Sequence, residues 1–274
     1  MIISDICTAY LHHKPTTTRH RQHVEALSRW FGHLTPKAIT PTVIANWRSK
    51  RPNVQDSSIR RELGALLSVL NWGQRHAMVN VQDMPAIDLP PPGQAKQLWM
   101  TLQQEEEFWA ASQGHGPDED MLRLFVPLAL DTAARKSAIL SLTWDRVDLK
   151  AGLIDFRVPG MRKTNKRRIP VPINSRLRPV LEREEKFVVH ASERVIKLRN
   201  IDKGFRRFAT DLGLSWVTPH VCRHTWACLA AQAGMPMFHI AKMLGDTLKT
   251  VEDNYAHLAP SHLRDVADWR FKAA

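Results

Sequence analysis

Residues 220–224 read HVCRH and follow Pro219, which predicts the start of a helix because proline is favoured at the first helical position. Residues three positions apart share one face of a helix, so His220 and Arg223 can approach the same ligand. The free N–H groups at a helix N-terminus point toward the same place and favour negative charge. The stretch therefore predicts a binding site for an anion such as a phosphate.

A zinc site is the alternative interpretation of this stretch, because His220 and His224 are four residues apart, as in the H-E-x-x-H motif. Val221 occupies the position of the glutamate, and the sequence offers no evident third ligand. We therefore expect no metal. We expect His224 to be a structural histidine whose hydrogen bonds are satisfied within the protein.

Hydrophobic spacing predicts two domains. Residues 1–83 predict a bundle of four helices with stripes at helical spacing. The candidate caps are Thr16, Thr17 or Thr18 for the second helix, Thr40 for the third, and Ser57 or Ser58 for the fourth. Residues 84–97 contain four prolines and a glycine and predict an interdomain linker. Residues 98–274 predict a mostly helical domain that ends in a tail, with a hairpin formed by β-branched runs at 152–158 and 167–173. The predicted fold class is mainly α with a small β-sheet.

Residues 157–178 hold eight basic and no acidic side chains. Like charges on neighbouring positions repel, and contact with nucleic-acid phosphates offsets this repulsion through counterion release. The candidate DNA contacts in the hairpin are Arg162, Lys166, Arg167 and Arg168. In the first domain, four further candidates lie near predicted helix starts, where a solvated surface is the alternative: Arg19, Arg21, Arg60 and Arg61.

Tyrosine occurs at only two positions, Tyr10 and Tyr255. Tyr255 lies in a polar stretch that follows a predicted helix ending near Leu244-Gly-Asp. Five short motifs occur in order along the chain: Thr132-Ala-Ala-Arg135, Arg162-Lys163-Thr164, His220-x-x-Arg223, Leu244-Gly245-Asp246 and Tyr255-Ala-His257. This set resembles the tyrosine recombinases, the phage integrase family, over essentially the whole chain. The resemblance implies a SAM-like helical core-binding domain followed by a mixed α/β catalytic domain.

The resemblance also implies a role for each matching residue. Arg135 corresponds to the first catalytic arginine, and Lys163 to the lysine that protonates the leaving oxygen. His220 and Arg223 correspond to the H-x-x-R motif, and Tyr255 to the nucleophile. The family's chemistry passes through a 3′-phosphotyrosyl intermediate and a free 5′-hydroxyl and is then reversed. Each step exchanges one phosphoester for another, so neither a metal nor a nucleotide cofactor is expected.

Three positions depart from the family's pattern. Ala133 replaces a usual glycine, Ala138 an acidic residue, and Asp246 a histidine or tryptophan. A carboxylate beside a phosphate is disfavoured by Coulomb repulsion unless an arginine screens it. We therefore expect Asp246, counted here with the catalytic residues, to pair with Arg135 or Arg223; the alternative is that it accepts the proton of the nucleophile. Reduced rather than absent activity is expected.

The composition restricts the class of protein. The 274 residues carry a formal net charge of +12, and both predicted domains share the basic excess, which fits a polyanion that contacts both. Three cysteines without a C-x-x-C motif exclude a disulfide framework and favour a reduced, intracellular setting. No apolar run approaches the ~20 residues of a membrane span, and the N-terminus does not resemble a secretory signal. We predict a cytoplasmic protein, bacterial or phage-encoded, that acts on DNA.

The combined prediction is a site-specific DNA recombinase, an integrase of a phage or mobile element. Its expected partners are double-stranded DNA, three further copies of the chain in a homotetramer on two DNA sites, and an accessory DNA-bending protein. The tail 261–272 is expected to pack onto a neighbouring copy; the alternative is a terminal helix that packs on its own domain. Two rival functions are a catalytically weakened homologue that binds DNA, and a nicking-closing enzyme similar to type IB topoisomerases. A metal-dependent nuclease would need a compact carboxylate cluster, which the sequence does not suggest.

Overall fold

The structure is a computed structural model, and it describes residues 1–92, 98–114, 120–160 and 167–260. The chain divides into two compact units, Met1–Lys96 and Gln97–Ala274. Within the described residues, none of the helices has the length and apolar character that a bilayer crossing demands.

The first unit is a bundle of four helices, as the hydrophobic spacing predicts. Thr17 caps the second helix and Thr40 the third, each accepting a hydrogen bond from a backbone N–H three residues on. The fourth helix follows Gln55, so the cap predicted at Ser57 or Ser58 is wrong. The helices are α1 Ile3–His13, α2 Thr18–Phe31, α3 Pro41–Ser49 and α4 Asp56–Arg75.

Part of the predicted linker is folded onto the first unit. Met84, Ile87 and Leu89 pack against the core of the bundle. Arg60 donates a hydrogen bond to the carbonyl oxygen of Pro90. Proline removes backbone donors but leaves its carbonyl as an acceptor, so an arginine can hold a proline-rich segment in place.

The second unit is mostly helical with one small sheet. Its strands are β1 Val147–Asp148, β2 Leu153–Asp155 and β3 Pro170–Pro172, antiparallel in the order β1-β2-β3. The predicted hairpin corresponds to β2 and β3, in which Ile154 pairs with Val171, and β1 is an addition that the sequence did not indicate. The helices are α5 Leu102–Ser112, α6 Asp120–Thr132, α7 Lys136–Ile139, α8 Arg178–Glu185, α9 Asp202–Asp211, α10 Pro219–Gln232, α11 Met237–Leu244 and α12 Leu248–Tyr255.

Helix α12 lies in the polar stretch before Tyr255, where the hydrophobic spacing predicts no element. Thr247 nevertheless caps a helix there, since its hydroxyl accepts from the backbone N–H of Thr250 at 3.2 Å. Val251 and Tyr255, four residues apart, are the buried positions of this helix. One buried face of two residues is too short a pattern to be recognised from the sequence.

Aromatic packing holds the helices that lead to the candidate site. Phe108 of α5, Phe125 of α6 and Phe205 of α9 are buried together, with ring centroids 5.7 Å (Phe108–Phe205) and 5.8 Å (Phe125–Phe205) apart. Aromatic pairs at such distances add to the stabilisation from burial alone. The cluster fixes α6, whose C-terminal end precedes Arg135.

One arginine of the basic segment 157–178 has a structural task. Arg176 donates to Glu105 of α5 at 2.6 Å and to Asp131 of α6 at 2.5 Å; we refer to these three residues as the Arg176 cluster. Burial lowers the pKa of Arg176, but the hydrogen bonds of the two carboxylates outweigh it and raise the pKa overall. Arg157 is likewise paired, with Asp155 at 2.7 Å. Two basic side chains of the segment are therefore paired with carboxylates of the same unit.

We expect Arg176→Met to lower the free energy of unfolding by about 3 kcal/mol, because it leaves two buried carboxylates without their cation. The side chains of Glu105 and Asp131 are 8% and 2% exposed. Urea denaturation measures the loss.

Arg178→Met is the matched control, because Arg178 is more exposed and pairs with Glu182 across one helical turn at 3.4 Å. Its expected cost is below about 1 kcal/mol. Equal losses in the two variants would show that the Arg176 cluster contributes no more than a surface ion pair.

Candidate active site

The start of α10 has the predicted form. Thr218 caps the helix by accepting from the backbone N–H of Val221 at 3.3 Å, and Pro219 is its first residue. Arg223, one turn into the helix, is only 5% exposed. Its guanidinium donates to the carbonyl oxygens of Ala133 and Leu244, each at 2.7 Å, and to Asp246 at 2.6 Å. The orientation of this buried cation is therefore fixed by three acceptors.

Asp246 joins the two arginines that the sequence singled out. Its Oδ1 accepts from Arg135 Nη2, and its Oδ2 accepts from Arg223 Nη2. We call this arrangement the carboxylate bridge. Burial lowers the pKa of Arg223, the charge of Arg135 lowers it further, and Asp246 opposes both effects. The expected pairing of Asp246 with an arginine is present, and it involves both candidates rather than one.

Two residues with left-handed backbone place the acceptors of Arg223. Gly245, with φ of 62°, ends α11 and leads to Asp246. A Cβ atom at Gly245 would lie 2.8 Å from the carbonyl oxygen of Arg167, so no larger residue fits without displacement. Ala133, with φ of 52°, adopts the same region although it has a side chain. The position where the family pattern has glycine therefore keeps the backbone conformation that favours glycine.

Ala138, where the family pattern has an acid, is buried and lines a cavity of about 160 Å³. Arg135, Arg168 and Arg223 line the same cavity. Arg168 donates to the Ser141 hydroxyl at 2.7 Å, and burial together with the charges of neighbouring arginines lowers its pKa. This candidate DNA contact is thus half-buried and directed into the protein.

Among the other candidates in the hairpin, Arg167 is exposed, and its carbonyl oxygen accepts from Arg135 Nη1 at 3.2 Å. The remaining predicted residues of the turn lie outside the described residues: Arg162, Lys163 and Lys166.

The four candidates of the first unit fall into two groups. Arg19 and Arg61 are exposed near the starts of α2 and α4, as predicted. Arg21 donates to the carbonyl oxygen of Leu11 at 3.4 Å and lies 4.0 Å from Glu25. Arg60 holds Pro90 through its guanidinium, so its expected role as a phosphate contact conflicts with a structural one.

Tyr255 ends α12 and is 6% exposed. Its hydroxyl lies 2.7 Å from Nδ1 of His224, and Nε2 of His224 lies 3.0 Å from Nε2 of His220. Burial is the main cause that raises the pKa of Tyr255 to about 12, with Arg223 acting in the opposite direction. Burial is the main cause that lowers the pKa of His224 to about 4, and the nearby His220 and Arg223 act in the same direction.

For His224 the sequence predicted only a structural role. Its hydrogen bonds are satisfied, as expected, but one of them is to the hydroxyl of the candidate nucleophile. The usable signal was its spacing of four residues from His220, which places both rings on one face of α10. That signal supported a zinc site equally well. No group of three or more potential metal-ligating side chains capable of holding an ion occurs in the part of the chain that the structure describes.

Residues 98–262 match the family model described as the phage integrase family. The chain belongs to the phage integrase family of tyrosine recombinases. The resemblance inferred from the five motifs is thereby confirmed.

Curated relatives of this integrase-family chain are distant in sequence. The integrase of Salmonella phage P22 is 27% identical over 199 residues, which cover 67% of this chain and 49% of the relative. The tyrosine recombinase XerC of Azotobacter vinelandii is 29% identical over 237 residues, covering 76% of this chain and 73% of the relative. The chain thus spans about half the length of the former and about three quarters of the latter.

Solved structures share the fold. The integrase of transposon Tn1549, solved in complex with transposon right end DNA, aligns over all of both chains with a TM-score of 0.77 and 18% identity. The XerH recombinase bound to a palindromic difH substrate covers 92% of this chain and 79% of its own, with a TM-score of 0.67 and 16% identity. The predicted fold class, mainly α with a small sheet, is confirmed.

The left-handed alanine of this integrase-family chain predicts a measurable strain. Ala133→Gly removes a Cβ from an unfavourable φ, which offsets the loss of a buried methyl group and the extra freedom of the unfolded chain. Ala134→Gly is the matched control, since Ala134 is also buried and has no positive φ. We expect Ala134→Gly to destabilise by about 1 kcal/mol more than Ala133→Gly, measured by urea denaturation. Equal costs would mean that Ala133 is unstrained.

Proposed function

We propose that this integrase-family chain is a site-specific DNA recombinase that cuts and rejoins DNA through a 3′-phosphotyrosyl intermediate. The observation that carries the proposal is that Tyr255 is hydrogen-bonded through His224 to His220, while Arg223 of the same helix is paired with Asp246. These residues come from α10, the end of α11 and the end of α12. The residue types match the chemistry, since a phenol can attack phosphorus where arginines stabilise the charge that develops.

Tyr255 is the proposed nucleophile. At pH 7 its hydroxyl is protonated, because its pKa is raised to about 12. A protonated phenol is a weak nucleophile, so attack on phosphorus requires that the proton leave as the new bond forms. Packing against Ala227, Cys228 and Val251 limits the directions in which the ring can move. A buried, oriented phenol that is activated only during attack would not react with phosphates that are not bound in the site.

Arg135 and Arg223 are the proposed clamp for the scissile phosphate. Each guanidinium has N–H groups beyond the one donated to Asp246, and bidentate pairing with non-bridging oxygens is the geometry that arginine favours. The carboxylate bridge holds the two cations close together, which like charges would otherwise resist. Lys163 is the proposed acid that protonates the 5′-oxygen, on the strength of its match to the family motif.

Double-stranded DNA is the proposed partner. The net charge of +12 supports a polyanionic ligand, and Arg167, Arg19 and Arg61 are exposed cations available to phosphates. We also propose a homotetramer on two DNA sites. A groove of about 300 Å³ is lined by Trp226, Met235 and the Arg176 cluster, and it is the acceptor that we propose for the tail 261–272 of a neighbouring copy. The cluster carries two carboxylates against one guanidinium, and the tail has three basic side chains against two acidic ones, so their net charges are opposite.

A catalytically weakened DNA-binding homologue is the second candidate function, and the carboxylate bridge favours it. Asp246 takes up one donor of each clamp arginine, so a phosphate must either use the remaining donors or displace the carboxylate. This competition lowers the effective affinity of the clamp. The formation of a covalent adduct decides between the two functions.

Incubation with a suicide DNA substrate in EDTA should trap a covalent protein–DNA adduct, and Tyr255→Phe should abolish it while DNA affinity persists. The substitution removes only the attacking oxygen. Tyr10→Phe is the matched control, since it removes a tyrosine hydroxyl from the first unit. That hydroxyl lies 3.0 Å from Nε2 of His20. Adduct at the normal level in the Tyr255 variant would place the nucleophile elsewhere, and no adduct in the unmodified protein would favour the binder.

Asp246→His should raise the single-turnover cleavage rate. A carboxylate is acceptor-only and competes with phosphate for arginine N–H groups, whereas a histidine can donate to a phosphate oxygen. Asp246→Asn should change the rate by less than about tenfold, because it keeps an acceptor while removing the charge. A slower His variant together with a loss of about 10²-fold or more in the Asn variant would instead identify Asp246 as a general base.

A further inference from the structure

A continuous chain of three side chains leads away from the proposed nucleophile. The Tyr255 hydroxyl contacts Nδ1 of His224 at 2.7 Å, and the opposite ring nitrogen of His224 contacts Nε2 of His220 at 3.0 Å. The two imidazole rings are nearly perpendicular, at 79°, with centroids 4.4 Å apart. Both ring nitrogens of His224 are therefore engaged, one on each side.

The protonation states give this chain a direction. We assign the Tyr255 hydroxyl as the donor to Nδ1 of His224, which puts the single proton of a neutral His224 ring on Nε2. In this assignment Nε2–H donates to Nε2 of a neutral His220, whose own proton is on Nδ1. The pKa of about 4 for His224 agrees with a neutral ring at pH 7. Every link is oriented from Tyr255 toward His220.

Burial changes along the same path. Tyr255 is buried, His224 is half-buried and His220 is exposed. An imidazolium ion is costly in a buried position and is stabilised by hydration or by a nearby phosphate. A proton taken from Tyr255 is therefore disfavoured on His224 and favoured on His220.

We propose that His224 accepts the proton of Tyr255 during attack and passes a proton to His220; this relay rests on the proposed function. Tyr255 Oη forms a bond to phosphorus while its proton moves to His224 Nδ1. The Nε2 proton of His224 moves to His220 Nε2, which becomes an imidazolium. The bond between phosphorus and the 5′-oxygen breaks, and that oxygen is protonated by the acid proposed above, Lys163.

Rejoining reverses each transfer, so the relay returns the proton to Tyr255 and needs no co-reactant. Asp246 is the competing acceptor, but its two oxygens already accept from Arg135 and Arg223. The charged and titratable groups near the first link of the relay are Arg223 and Asp246, which act on Tyr255 and His224, and Cys228, which acts on Tyr255. Neither Arg223 nor the Cys228 thiol, whose pKa burial raises to about 11, accepts a proton at neutral pH.

The deciding variant is His224→Gln, which keeps one acceptor and one donor in place but cannot transfer a proton. We expect unchanged DNA affinity and a loss of about 10²-fold or more in single-turnover adduct formation at pH 7. The remaining rate should rise about tenfold per pH unit, because the reaction then depends on the small ionised fraction of Tyr255. His257→Gln is the matched control, since His257 is exposed and lies two residues from Tyr255.

A second measurement separates proton transfer from packing. A fluorinated tyrosine at position 255 has a more acidic hydroxyl and should restore much of the rate that His224→Gln loses. A variant that is slower by one constant factor at every pH, without rescue by fluorotyrosine, would reduce His224 to a packing residue and overturn the relay. Adducts are mapped to Tyr255 by mass spectrometry.

The two levels of the proposal fail differently. If the unmodified protein and His224→Gln form the adduct at Tyr255 at equal rates, the relay alone is refuted. A protein that forms no adduct at Tyr255 refutes the proposed function and the relay with it.

Discussion

The buried guanidinium of Arg223 is the constraint on which the rest of the site depends. A buried cation must be paired and hydrogen-bonded, because leaving it uncompensated costs several kcal/mol. Its acceptors are the carbonyl oxygens of Ala133 and Leu244 and the carboxylate of Asp246. They come from the α6–α7 turn and the end of α11, so satisfying one side chain of α10 fixes three segments relative to one another.

This demand explains why two residues of the site have left-handed backbone. The turn at Ala133 and the end of α11 at Gly245 must both direct groups inward at Arg223, and a positive φ reverses the chain within one residue. At Gly245 the close approach of the Arg167 carbonyl leaves no room for a Cβ atom. At Ala133 there is room, so an alanine is tolerated at the cost of strain. Alanine at position 133 therefore keeps the backbone conformation that favours glycine, but it lowers the stability of the folded protein.

The basic segment shows how charge divides between folding and function. Arg176 ties α5 and α6 together, Arg157 pairs within its own turn, and Arg168 is drawn toward Ser141. Arg167 alone among these four is exposed without an ion pair within the described residues. A run of like charges in the sequence therefore contains residues that stabilise the fold through partners distant in the chain, beside residues left for a polyanion.

The sequence by itself determined the helical bundle, the hairpin and the five motifs, because hydrophobic periodicity, caps and spacing are local properties that survive in one dimension. It also indicated that Asp246 needs an arginine, since Coulomb repulsion between a carboxylate and a phosphate holds in any fold. Tertiary structure alone decided which partners meet. The joining of both arginines by one carboxylate and the contact between His224 and Tyr255 depend on packing between α10, α11 and α12, whose angles no local pattern encodes. The order of burial from Tyr255 to His220, and with it the direction of proton movement, exists only once those helices are in place.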